Sequence, residues 1–129
     1  MQIVAALFVE NIEQRTVAGP ATRIDLGGVM FSMAAPSSFP VTVAPHLVVI
    51  VRCAPGETGT DVLEVIFRDE AGEQVARNVQ PLQVEPGKFG RQLVRGELTY
   101  PAPGTIEAHC RTAKGDAVVV PLTLLPPAG

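Results

Sequence analysis

The chain has 129 residues, 47% of them apolar but only 5% aromatic with no Trp, and a formal charge of −3. That length suits a single domain, residues 1–129, with a core of its own. The acidic balance leaves no basic stripe for a phosphate backbone, which excludes nucleic acid, and no stretch approaches the ~20 apolar residues of a membrane span, which excludes the bilayer.

Twelve Pro and twelve Gly fall singly between apolar runs and mark many short elements. The first run, Ile3 to Val9, is rich in β-branched residues and predicts a strand. It lacks the charged leader of a signal peptide and meets Glu10, Glu13 and Arg15 at once, so it is read as the start of an unprocessed, cytoplasmic chain. Asn11 to Thr22 is polar, carries Gly19-Pro20 and reads as a loop. Thr22 to Ala34 resumes as a strand whose central Gly27-Gly28 should bend or bulge it. Such a bend marks either a sheet corner or a close backbone approach by a ligand or partner.

Pro36-Ser-Ser-Phe-Pro40 predicts a crossing connection. In the next strand, His46 to Cys53, alternation puts Leu47, Val49, Val51 and Cys53 on one face and His46, Val48, Ile50 and Arg52 on the other. Both faces are apolar in the middle, so this strand should be central. Asp61 to Asp69 alternates Leu63, Val65 and Phe67 against Glu64 and Arg68, the pattern of a half-buried antiparallel strand. The turn from Arg68 to Glu73, with Gly72 placed for the left-handed conformation, returns the chain as Gln74 to Val84, and Pro81 assigns that strand to a sheet edge.

Arg91 to Tyr100 leads into a segment, Gly96 to Pro126, that reads as a β-meander with turns at Pro101-Ala-Pro-Gly104 and Ala113-Lys-Gly-Asp116. Its middle strand puts Ile106, Ala108 and Cys110 on one face. Its last, Ala117 to Leu125, carries Pro121 and is therefore placed at an edge. About eight strands result, and no window sustains the 3.6-residue period of a helix. The expectation is an all-β chain folded as a single antiparallel β-sandwich of immunoglobulin-like type.

The succession of ALFVEN, a GG-containing strand, FP before HLVVIVRC, the FRDEAGEQVA hairpin and YPAPGTIEAHC resembles a family of small bacterial β-sandwich proteins known only as a domain of unknown function. The resemblance spans most of the chain. It implies a fold and brings no catalytic residues with it.

Side chains able to do chemistry are scattered. Cys53 and Cys110 both lie on inward faces of strands that such a topology places in opposite sheets, so they are either free buried thiols or a cross-sheet disulfide; the absence of a secretion signal favours thiols. His46 and His109 occupy different strands outside any ligand-spacing motif, which predicts no metal. Ser32, Ser37 and Ser38 are the only serines, none in a nucleophile elbow, and Gly27-Gly28 does not open a helix that could hold a phosphate. Most carboxylates fall in turns. Glu64 stands apart between Val62 and Ile66, on a face covered by another protein or as a charge facing solvent.

A mean hydropathy of +0.27 leaves Val48 to Val51 and Val118 to Val120 apolar on both faces, more than one small sandwich buries. This predicts a protein partner or self-association, most simply a homodimer, through a surface around Gly27, Gly28 and Pro121. The expected function is a non-enzymatic interaction or structural module without cofactors. The alternative is a sandwich that binds a small molecule or carbohydrate with loops near Phe39, Phe89 and Tyr100.

Overall fold

Residues 1–115 and 117–128 are described in a computed structural model; the turn residue Asp116 lies outside the described residues, as does Gly129. The described chain is all-β, without a helix. Eleven strands form it: β1 Gln2–Arg15, β2 Arg23–Val29, β3 Ser32–Ala34, β4 Val41–Val43, β5 His46–Arg52, β6 Thr60–Arg68, β7 Gln74–Gln83, β8 Phe89–Arg95, β9 Leu98–Tyr100, β10 Gly104–Thr112 and β11 Ala117–Leu125. The first sheet has the order β2-β1-β5-β8, the second β3-β11-β10-β6-β7, and β4 pairs β9 in a small ribbon.

The core follows from alternation. Phe8, Leu47, Val49, Val51 and Cys53 from the first sheet meet Leu63, Val65, Phe67, Ile106, Ala108, Cys110, Leu122 and Leu124 from the second, all buried. Phe67 fits because its neighbours in register are small: Ala76 lies on one side and Ala108 on the other. Gly96 faces its ring so closely that a Cβ there would sit 2.9 Å from Cε2.

β5 is central, between β1 and β8, as its doubly apolar pattern requires. β7 is an edge strand, in keeping with Pro81. It is tied to the β8 edge of the other sheet by glutamine amides: Gln80 Nε2 donates to Leu93 O at 3.0 Å, and Gln92 Nε2 to Pro81 O at 2.9 Å.

Four expectations need correction. About eight strands become eleven because two predicted strands split between sheets and β4 lies where only a connection is expected. The span from Thr22 to Ala34 breaks at Met30-Phe31, where the chain crosses from the first sheet (Met30 N–H to Phe8 O, 2.7 Å) to the second (Thr123 N–H to Phe31 O, 3.3 Å). The loop predicted from Asn11 to Thr22 is strand as far as Arg15, because β2 offers a partner and Asp25 takes the Arg15 guanidinium at 2.8 and 3.0 Å. The meander is only half formed: β10 and β11 make a hairpin, but β9 pairs with β4, since Gly96 packs against Phe67 and turns the chain away.

The fourth correction concerns β11, which is not a full edge strand. Parallel β3 covers its end at Thr123–Leu125, leaving Ala117 to Leu122 paired only with β10 among the described residues. Pro121 lies in that open part. Because the Thr123 N–H points toward β3, alternation aims the Pro121 imide nitrogen to the same side, where no ladder bond is forfeited.

Candidate functional site

The expected interaction residues fall on different sheets, joined by the chain that crosses between them. Gly27 and Gly28 lie in β2, the edge of the first sheet, and the chain runs from there through Phe31 to β3, beside the open part of β11 that holds Pro121. Gly28 takes a φ of +63° opposite Glu10, whose side chain covers the space a Cβ would occupy. The β1–β2 register passes this point without an inserted residue, so the glycines put no bulge in the strand.

Phe31 is 81% exposed, the most solvated large apolar side chain of the described residues. Val119 and Leu125 of β11, and Val29 of β2 in the other sheet, are further exposed apolar side chains. The backbone contributes as well. In the open segment Ala117 and Val119 direct N–H and C=O outward with no strand opposite among the described residues. Phe31 is not legible as a site residue in the sequence, because a continuous strand from Thr22 to Ala34 would make it one more alternating side chain.

Glu64 has a definite role on the outer face of the second sheet. Arg111 of β10 lies opposite Glu64 in register and Arg77 of β7 lies diagonally, opposite Ile66; each reaches a carboxylate oxygen at 2.7 Å. The Arg77 hydrogen bonds, then those of Arg111, hold the Glu64 carboxyl below its ordinary range. A depressed carboxyl stabilises the fold above its unfolded pKa, and that contribution is lost as pH falls through the lower folded value. Glu64→Gln should therefore flatten the acid side of the stability–pH curve, read by urea melts from pH 5 down to pH 3; a limb as steep as that of the unmodified protein would deny the clamp this role.

Cys53 and Cys110 are free and buried, with no disulfide between them. Burial pushes the Cys110 thiol up to about 12, far from the thiolate a nucleophile or metal ligand needs. Neither thiol should react with a disulfide reagent in the native protein, and both should on unfolding; rapid native labelling of Cys110 would contradict the burial. His109 Nε2 lies 3.3 Å from Glu107 on the same face, while His46 belongs to a different sheet. No group of three or more His, Cys, Asp or Glu among the described residues could hold a metal ion.

The aromatic residues of the small-ligand reading do not converge. Tyr100 is buried, its hydroxyl donating to Leu122 O at 2.8 Å and pushed up to about 12 by desolvation. Phe39 packs against the core, and Phe89 stands exposed at the start of β8. Among the described residues no helix is long and apolar enough to cross a membrane. No protein-family model matches the chain, and no curated protein matches it.

Proposed function

We propose that the chain is a non-enzymatic interaction module that receives an extended segment along the open part of β11, with Phe31 as the apolar anchor. The observation that carries this reading is the 81% exposed Phe31 beside a strand edge with outward, unpartnered backbone groups. Backbone pairing supplies direction and affinity in such docking, and a neighbouring aromatic adds burial. The simplest occupant is a second copy of the chain, pairing β11 to β11 about a two-fold axis near Val119.

The strand order also supports the immunoglobulin-like reading. β1-β5-β8 follows the A-B-E order of one sheet of that fold and β11-β10-β6 the G-F-C order of the other, with β7 beside C. Cys53 and Cys110 then stand at the end of the B strand and on the F strand, where antibody domains place their bridge.

Light scattering at tens of micromolar tests the edge. A dimer that Val119→Lys and Phe31→Asp both convert to folded monomer is the expected result. If the unmodified chain is a sharp monomer, the occupant is not a second copy. If an affinity capture then retains the same proteins on unmodified and Phe31→Asp baits, the edge is not the docking surface.

A further inference from the structure

The β1–β2 hairpin continues past the end of β5 and curls over the outer face of the first sheet. Its residues Ile12, Gln14 and Ile24 line a groove of about 500 Å³ together with Val48, Arg91, Gln92 and Leu93 of the sheet. This explains why Val48, on the outward face of β5, is only 3% exposed and yet lies outside the main core: the chain's own hairpin covers it. The cover is incomplete, for Leu93 remains 47% exposed in the same groove.

We infer that this groove is a binding site for a small amphipathic carboxylate, an unbranched alkyl acid of medium chain length. Its size lies within the roughly 300–1,000 Å³ of small-molecule sites, and its walls are apolar at Ile12, Ile24, Val48 and Leu93. Arg91 is the one charged residue among those that line it, and among the described residues its guanidinium has no hydrogen bond or ion pair. Arg77 and Arg111, by contrast, are both taken up by Glu64. An unpaired guanidinium in an apolar groove with no Asp or Glu among the described residues that line it complements a carboxylate, which it can hold through two parallel hydrogen bonds. The Gln92 amide is committed to Pro81 O, whereas that of Gln14 is free to add a further bond. The groove lies on the first sheet, apart from the β11 edge on the second.

Decanoate, kept below its micelle concentration, is the ligand for the test, and amide chemical shifts of the full chain are the readout. Saturable shifts at Ile12, Ile24, Val48 and Leu93 are expected. Affinity should fall about tenfold in Arg91→Gln, the loss of one charge-assisted contact, and by a similar factor when decanol replaces decanoate on the unmodified protein. Val62→Lys, at an exposed position of β6 on the other sheet, should bind decanoate unchanged. Shifts that do not saturate, shifts centred on Phe31 and Val119, or equal affinity for decanoate and decanol would each overturn the assignment.

Discussion

Replacing Phe67 with alanine is expected to lower stability by about 3–5 kcal/mol, the largest loss from any single side-chain truncation in this chain. Phe67 is 1% exposed in β6, an interior strand of the second sheet between β10 and β7. Most of that cost is a cavity term, and here the cavity has little chance to collapse. The ring is flanked in register by Ala76 and Ala108 and faced by Gly96, none of which has a side chain long enough to move in. Phe67→Leu should cost only about 1–1.5 kcal/mol, because volume is largely kept. Urea denaturation followed by far-ultraviolet circular dichroism measures both. A Phe67→Ala loss under about 2 kcal/mol would mean that the sheets close on the void, against the packing described.

The second large effect is predicted for a glycine and is best read against another. Gly59 and Gly72 have nearly the same backbone, with φ of +85° and +82°, so alanine carries a similar strain at each. Their surroundings differ. Gly72 is at the exposed tip of the β6–β7 hairpin with nothing within 4 Å of a Cβ, and the Asp69 side chain already accepts the Ala71 and Glu73 N–H groups to hold the turn. Gly59 is buried at the start of β6, where a Cβ would lie 2.8 Å from Val84 O, while Gly59 O accepts the Val84 N–H.

Gly72→Ala should cost about 1 kcal/mol, the left-handed strain less the entropy removed from the unfolded chain. Gly59→Ala should cost about 3 kcal/mol or more, since a backbone oxygen cannot swing aside as a side chain can. Equal costs at the two positions would show that conformation alone, and not the close approach to Val84, makes glycine necessary at Gly59.

Short-range chemistry in the sequence was enough to determine strand character, facing and turns. Alternation around Leu63, Val65 and Phe67 sorts the two faces of β6 correctly, the doubly apolar HLVVIVRC places β5 in the middle of its sheet, and the Asp69 to Gly72 turn forms where its residue types demand. These features depend on a residue and its close neighbours along the chain, which is why they can be read from one sequence.

Pairing depends on partners distant in sequence, and only the tertiary structure decided it. Whether Asn11 to Arg15 is loop or strand depends on β2. Whether Phe31 is an alternating strand residue or an exposed side chain between strands depends on the chain crossing between sheets at Met30. Whether Val48 needs a partner protein depends on a hairpin that folds back over it, so part of the apolar surplus that suggested association is buried by the chain itself. Glu64 makes the same point: nothing in VLEVIF announces Arg77 and Arg111, which register alone brings to its two oxygens. Local patterning fixes which face of a strand is apolar, whereas the neighbour a strand takes is chosen by the competition of all strands for edges and cover.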